Sequence, residues 1–311
     1  MKIRRFFFGI GLAASLASPL AAHAEKIGVT MVDYNDTFRS MLRTGIADAA
    51  KKAGATVQFE DGKQDVSTQL AQIQNMIAQR VDAIIVQAVD TDATPKITKM
   101  VTDAHIPLVY ISLRPSDFDK LPPTASFVGS DERVGAALET KEVCRLLKGK
   151  GDVVVLMGDL MHEATRTRTK AVETVAGSKD CPGVKVVDKR EGKWSRVNAM
   201  DITTNWLSSG IKFDAIIANN DEMALGAITA LKSAKKLPNV VVAGIDATPD
   251  ALSSMKAGDL KVTVFQNAAA QGADAVDTAM KLIKKQPVDR FVNVPFELVT
   301  PANMQQFMRK S

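Results

Sequence analysis

The chain has 311 residues, with 40 Lys and Arg against 35 Asp and Glu, and therefore a formal net charge of +5. Most of this excess lies in the first 24 residues, which hold three basic side chains and no acid, so the remainder is close to neutral. This balance excludes the basic surface that nucleic-acid binding requires, and we expect no nucleic-acid partner. The remaining length suits two domains better than one.

Residues 1–24 have the pattern of a secretory signal peptide. Basic residues precede an apolar stretch, and Ala22 and Ala24 form an Ala-x-Ala cleavage signal. The alternative, a transmembrane anchor, is disfavoured by Pro19 and by the shortness of the apolar stretch. We therefore expect cleavage after Ala24 and a soluble protein in the periplasm. We also expect this protein to be a monomer.

After the leader, short apolar strands alternate with amphipathic helices. In the first half, strands are predicted over 26–32, 55–61, 81–90 and 106–113, and helices over 37–54, 65–80 and 94–105. Strands that are apolar on both faces are typical of a parallel sheet covered by helices on both sides. The first half therefore predicts an α/β lobe with a doubly wound parallel sheet.

The second half repeats this order. Strands are predicted over 151–158, 184–189 and 213–221, and helices over 163–177 and 195–210. The segment Asp82–Ile85 recurs as Asp214–Ile217 at the equivalent place, which favours two similar lobes. The alternative interpretation is that any two α/β halves look alike at this level.

Polar and aromatic side chains follow the predicted strands. Ligands of such sheets bind beyond the carboxyl ends of the strands, where both lobes would face one cleft. The candidates are Asp36, Asp90, Asp246, Gln87, Asn220 and Gln266, with Arg39, Arg114, Arg166, Phe38 and Trp194. Hydroxyl groups both donate and accept hydrogen bonds, and ring C–H faces pack on aromatic surfaces, so this mixture suits an uncharged polyhydroxyl ligand.

Several of these residues have a structural alternative. Asp36 and Asp90 are each placed to cap a helix, and a cap or a ligand contact is compatible with the sequence. Arg166 and Arg168 together fit a solvated helix face as well as a cleft. We expect Asp221 to cap the helix that starts at the next residue, and we leave it out of the site.

Catalytic patterns are sparse. His105 is expected to be structural, and His162 lies near enough to the cleft to contact ligand. The sequence has no Cys/His pair, metal-ligand spacing, Gly-x-Ser-x-Gly or Gly-x-Gly-x-x-Gly motif, so we expect no enzyme, no metal and no cofactor. A glycosidase is the remaining enzymatic alternative. Cys144 and Cys181 are equally compatible with a disulfide and with two free thiols.

Three segments carry a family resemblance: 219–227 (NNDEMALGA), 244–250 (GIDATPD) and 262–266 (VTVFQ). With the leader and the repeated halves, they resemble the periplasmic sugar-binding proteins of ATP-driven importers, of the ribose/galactose type. The resemblance implies two lobes joined by a three-segment hinge. The first lobe is expected to consist of 25–130 plus 267–293, and the second of 131–266 plus 294–311. It implies an ABC permease as partner, with a chemoreceptor or sensor kinase as the alternative.

The resemblance also implies roles for individual residues. Asp36, Phe38 and Arg39 fall on the first ligand loop, where Arg39 replaces an aromatic residue usual in ribose binders. The other implied ligand residues are Arg166, Trp194, Asn220, Asp246 and Gln266, with Ser112 and Arg114 in place of an Asp-Arg pair that this chain lacks. The segments 58–72, 88–98, 106–110 and 192–196 resemble the branch that binds myo-inositol and related cyclitols. We therefore expect a cyclitol, with ribose, xylose and galactose as alternatives.

Overall fold

The structure is a computed structural model that describes residues 24–309. The predicted leader, residues 1–24, lies outside the described residues except for Ala24. Across the described part of the chain, no helix combines the length and the apolar character needed to cross a membrane.

The described chain alternates strands and helices along most of its length. The strands are β1 Lys26–Met31, β2 Thr56–Asp61, β3 Ala83–Val86, β4 Leu108–Ile111, β5 Ala125–Gly129, β6 Lys150–Met157, β7 Gly183–Glu191, β8 Ala215–Ala218, β9 Val241–Ala243, β10 Thr263–Phe265, β11 Phe291–Asn293 and β12 Glu297–Val299. The helices are α1 Thr37–Ala53, α2 Val66–Ala78, α3 Thr94–Asp103, α4 Glu132–Leu146, α5 Glu163–Val175, α6 Arg196–Ser208, α7 Asp221–Ser233, α8 Pro249–Lys256 and α9 Ala268–Ile283. Short 3-10 turns cover Thr91–Ala93, Phe118–Lys120, Leu237–Asn239 and Met304–Gln306.

The first lobe contains a parallel sheet in the order β11-β5-β4-β3-β1-β2. Leu42 and Ile46 of α1 and Val276 of α9 belong to the apolar cluster on one face. Ile73 of α2 and Ile97 of α3 belong to the cluster on the other face. Because helices cover both faces, the inner strands β3 (AIIV) and β4 (LVYI) are apolar throughout, as the sequence predicts, whereas the edge strand β2 is TVQFED.

The second lobe repeats this plan with a parallel sheet in the order β7-β6-β8-β9. Parallel bridges from β9 and the loop after it extend the sheet to β10, which pairs antiparallel with β12. The repeated segments occupy equivalent places, since Ala83 of β3 pairs with Ile27 and Ala215 of β8 pairs with Val153. The predicted α/β class with two parallel-sheet lobes is confirmed.

Three chain segments pass between the lobes. The chain passes from one lobe to the other between Gly129 and Glu132, between Phe265 and Ala268, and between Asn293 and Glu297. The first and third passages are hydrogen-bonded directly, because Ser130 Oγ donates to the Val294 carbonyl at 2.6 Å. Ser130 Oγ also accepts from Gln271 Nε2 at 3.0 Å, and Gln271 lies in α9, which follows the second passage.

A disulfide joins Cys144 of α4 to Cys181 in the loop before β7, 37 residues later in the chain. The structure thus resolves the two alternatives that the sequence leaves open for these cysteines. Both half-cystines lie in the second lobe, within the apolar cluster under β6 and β8.

Replacing both cysteines by serine is expected to lower the free energy of unfolding by about 4 kcal/mol, because the unfolded chain regains the entropy of an open loop. Urea denaturation of the oxidised protein and the double variant measures this difference. A reductant should bring the wild-type protein to the stability of the variant and leave the variant unchanged. Equal stability of the two oxidised samples would contradict the prediction.

Candidate functional site

Residues from both lobes line a cavity in which the centres of water-sized molecules can occupy about 40 Å³, within about 400 Å³ of free space that includes open solvent. Its lining residues all come after the carboxyl end of a strand, where a parallel sheet delivers side chains to a crevice. They are Asp36, Phe38, Arg39, Gln87, Ser112, Leu113, Glu132, His162, Ala164, Arg168, Trp194, Asn220, Asp246 and Gln266.

Nine of the residues expected in the site lie in this wall, and three do not. The nine are Asp36, Phe38, Arg39, Gln87, Ser112, Trp194, Asn220, Asp246 and Gln266, and the three are Asp90, Arg114 and Arg166. Glu132, Leu113 and Ala164 line the cavity without having been expected there. His162 and Arg168, which the sequence leaves open, also line it.

The cleft arginine of the second lobe is Arg168, and the prediction that placed Arg166 there is wrong. Residues two apart on a helix point in directions about 200° apart, so only one of the two faces the cavity. The Arg168 side chain is 5% exposed, whereas that of Arg166 is 40% exposed and donates to Asp92 and to the Leu160 carbonyl.

Asp90 and Arg114 also lie outside the cavity wall. Asp90 caps the 3-10 turn that follows it by accepting a hydrogen bond from Asp92 N at 2.8 Å, which is the structural alternative considered for it. The Arg114 guanidinium lies 4.2 Å from the centre of the Phe118 ring and borders a neighbouring cavity.

Arg168 is the most connected group of the cavity. Its Nε donates to Glu132 Oε2, its Nη1 to the Asn219 carbonyl, and its Nη2 to Gln266 Oε1 at 3.1 Å. Burial alone would lower the pKa of Arg168, but the paired Glu132 carboxylate outweighs it and the pKa is raised. The guanidinium therefore stays charged and holds the starts of α4 and α7 and the end of β10 in fixed relation.

A second buried guanidinium, Arg39, comes from the first lobe. Its Nη1 pairs with Asp33 Oδ2, and Gln64 Nε2 donates to the same carboxylate. Burial raises the pKa of Asp33, but the Arg39 charge and the hydrogen bonds outweigh burial and hold it below its usual value. Asp36 caps α1 by accepting from Arg39 N at 2.9 Å, so it is both a cap and a residue of the cavity wall.

The carboxyl groups of the cavity wall share a tendency toward protonation. Burial raises the pKa of Asp36 and of Glu132, against the opposing charges of Arg39 and Arg168. Burial and then the neighbouring charge of Asp221 raise the pKa of Asp246 well above its usual value. The wall thus offers acidic oxygens whose charge is expensive to bury unless hydrogen-bond donors satisfy them.

The α7 cap is Asn220 rather than Asp221, so that prediction is wrong. α7 begins at Asp221, and Asn220 Oδ1 accepts from Met223 N at 3.0 Å while its Nδ2 donates to the Trp194 carbonyl at 3.4 Å. Asp221 points into the second lobe, where its carboxylate accepts from Thr263 Oγ1 at 2.7 Å and from Thr248 N at 2.9 Å.

Two buried oxygens of the wall have no hydrogen-bond partner in the described chain. They are Gln87 Oε1, from the loop after β3, and Glu132 Oε1, whose companion Oε2 binds Arg168. Buried polar atoms in folded proteins are nearly always paired, so these two acceptors are suited to receive hydrogen bonds from a ligand or from water in the cavity.

The flat surfaces of the cavity are Phe38 and Trp194. Trp194 has a left-handed backbone, with a φ of 63°, and so do Ser112 at 65° and Asp246 at 130°. Residues other than glycine seldom adopt such values, and they concentrate at functional sites where the surroundings fix them. Gly158 lies beneath the indole, because a Cβ on it would be 2.1 Å from Trp194 Cζ2.

The two lobes contact each other around the cavity. Thr91 N and Oγ1 donate to the Met161 carbonyl at 3.1 and 2.9 Å, and Glu163 N donates to Thr91 Oγ1 at 2.9 Å. Elsewhere, Thr37 Oγ1 donates to Glu222 Oε1 at 2.9 Å. The cavity is therefore bounded by direct contacts between the lobes.

Asp221→Ala is expected to lower the free energy of unfolding by about 3 kcal/mol, because the buried donors of Thr248 and Thr263 lose their acceptor. Thermal and urea unfolding of the purified variant measure the loss. Asp201→Ala, an exposed change on α6, is the matched control and should stay within about 0.5 kcal/mol of the wild type. Equal stability of both variants would show that Asp221 is not the acceptor holding these threonines.

Comparisons with known proteins agree with this architecture. Residues 27–287 match the family model described as a periplasmic binding protein domain. A putative rhizopine-binding protein of Rhizobium meliloti is 50% identical over 306 residues, covering 98% of this chain and 99% of that protein. A xylitol-binding protein of Mycolicibacterium smegmatis is 32% identical, covering 90% of this chain and 79% of that protein.

A solved structure of an ABC transporter solute-binding protein from Bacillus halodurans, with bound myo-inositol, superimposes with a TM-score of 0.87. It is 39% identical, and the match covers 92% of this chain and 98% of that one. These relatives are binding proteins, which agrees with the expectation of a binding protein rather than an enzyme. The chain belongs to the periplasmic binding protein family.

Proposed function

We propose that this chain is the solute-binding component of an ABC importer and that its cavity takes a neutral polyhydroxyl ring, myo-inositol or a related cyclitol. The protein is exported to the periplasm, its leader is removed after Ala24, and it delivers its ligand to a permease of the inner membrane as a monomer. The ligand is contacted by the residues of the cavity wall.

The observation that carries this proposal is the pair of unpaired buried acceptors, Gln87 Oε1 and Glu132 Oε1, in a wall that also holds Arg39 and Arg168. Ligand hydroxyls donate to the acceptors and accept from the guanidinium groups, so each hydroxyl has partners of both kinds. The ring of such a ligand also presents C–H groups on its faces, and these pack against Phe38 and Trp194.

The relatives support the same ligand class. The Bacillus halodurans protein was solved with myo-inositol, and its backbone agrees with this chain over nearly its whole length. The names of the other two relatives give a rhizopine and xylitol as their ligands. Arg39, where ribose binders usually have an aromatic residue, favours a cyclitol over a pentose.

The three inter-lobe passages, near Ser130, Gln266 and Asn293, act as the hinge in this proposal. The first lobe is then 25–130 with 267–293, and the second is 131–266 with 294–311. Opening breaks the contacts of Thr91 and Thr37 with the second lobe and admits the ligand, and closure restores them around it. The closed surface is the one that the permease recognises.

Titration calorimetry of the ligand-stripped mature protein tests the ligand class. Myo-inositol is expected to bind with a Kd of about 1 µM or below, and more tightly than xylitol, ribose, xylose or galactose. The reason is that a cyclitol carries a hydroxyl on each ring carbon, and the wall offers donors and acceptors from both lobes. Binding of ribose or galactose without any heat from myo-inositol would contradict the proposal.

Arg168→Ala is expected to weaken myo-inositol binding at least about tenfold, because a buried charged donor is lost. Arg166→Ala is the matched control from the same helix, and it should cost at most about fivefold because its ion pair with Asp92 is partly exposed. Arg168→Lys keeps the charge but loses the planar fork, and urea unfolding of each variant separates a binding effect from misfolding. Equal losses at positions 166 and 168 would contradict the assignment.

A further inference from the structure

His162 lies between the two lobes with both ring nitrogens engaged. It is 2% exposed and precedes α5, yet its side chain makes no capping bond to that helix. Trp194 Nε1 lies 2.8 Å from His162 Nδ1, and both residues belong to the second lobe. His162 Nε2 lies 3.2 Å from the carbonyl oxygen of Val89, which belongs to the first lobe.

These two partners determine where the imidazole proton is. An indole N–H can only donate, so Nδ1 must be the acceptor and carries no proton. A carbonyl oxygen can only accept, so Nε2 must carry the proton and donate it. The neutral Nε2–H tautomer is therefore the single form that satisfies both contacts.

The surroundings of His162 favour the neutral form. Burial, and then the charge of Arg39 on α1, lower the pKa of His162 to about 4. Asp159, in the loop after β6, and Asp33, in the loop after β1, oppose this effect without reversing it. An imidazolium ring would in addition present an N–H to the indole N–H.

The partner of His162 in its own lobe is a wall of the cavity. The Trp194 indole lies over Gly158 on one side, and the His162 ring lies roughly parallel to it, with the ring centres 5.9 Å apart. The hydrogen bond from Nε1 to His162 Nδ1 adds a directional contact to this packing, because it holds the N–H edge of the indole toward His162. The contact between Nε2 and the Val89 carbonyl, in contrast, crosses from one lobe to the other.

We propose that His162 is a positioning residue, which through its neutral Nε2–H form joins the Trp194 wall to the Val89 carbonyl of the opposite lobe and so sets that wall when the cleft closes. This role rests on the proposed function, because it concerns the same cavity and the same closure. His162 would affect ligand binding indirectly, by positioning Trp194 and by stabilising the closed arrangement of the lobes.

Variants at position 162 test the role through ligand binding. His162→Phe keeps a flat ring but removes both contacts, and it should weaken myo-inositol binding about tenfold. His162→Gln is the conservative control, because its amide oxygen and nitrogen replace the acceptor and the donor, and it should stay within about threefold of the wild type. Trp194→Phe combined with His162→Phe should cost less than the two single losses together.

Fluorescence reports on the wall itself. The chain has two Trp, at positions 194 and 206, so Trp206→Phe leaves Trp194 as the reporter. Myo-inositol should shift the Trp194 emission in this background and in His162→Gln, and the shift should be reduced in His162→Phe. A tenfold loss of affinity with an unchanged emission shift would overturn the positioning role.

Nitrogen NMR decides the tautomer without any ligand. Nδ1 of His162 should show the shift of an unprotonated nitrogen and a coupling through the hydrogen bond to Trp194 Nε1, with His105→Asn used to assign the signal. A protonated Nδ1 overturns the inference even if polyols bind. Failure of every polyol to bind, with the coupling present, overturns the proposed function and leaves the local contact established.

Discussion

The buried guanidinium of Arg168 is the group on which the geometry of the cavity depends. It donates to Glu132 at the start of α4, to the Asn219 carbonyl after β8 and to Gln266 after β10, so one side chain joins three segments of the second lobe. Removing a partner from such a buried pair is costly, because the remaining charge has no water to solvate it. These three segments of the second lobe are therefore held together without a ligand, which reduces the ordering cost of binding.

The first lobe also has a buried guanidinium in the cleft, that of Arg39, and it is balanced by a separate carboxylate. Arg39 is held by Asp33, which does not line the cavity, so the charge of Arg39 is balanced without using the oxygens that face the ligand. The two arginines thus enter the cleft from opposite lobes, each with its own carboxylate. A neutral ligand can then bridge the lobes without bringing an anion of its own, since each of the two guanidinium charges is already paired within the protein.

The fold and most of the cavity wall could be predicted from the sequence, because the apolar strands and the polar residues that follow them are local patterns. Glu132 was not predicted as a site residue, because the strand before it, Ala125–Gly129, was not predicted either. Site residues were sought only after the ends of predicted strands. Arg168 could have been found from helix phase, since Ala164, Arg168 and Val172 share the buried face of α5. The partners of Asp221 and His162 could not, because they come from distant segments that only the tertiary structure brings together.

Gly158 limits how this chain can change its selectivity. The indole of Trp194 occupies the space in which any side chain at position 158 would begin. Changes in ligand selectivity therefore have to occur at residues whose side chains line the cavity, such as Phe38 and Leu113, where side-chain size can change in small steps. At position 158 even alanine would displace the indole, because its Cβ would overlap the ring. A homologue with a larger residue there is therefore expected to differ in the residues that form that side of its cleft.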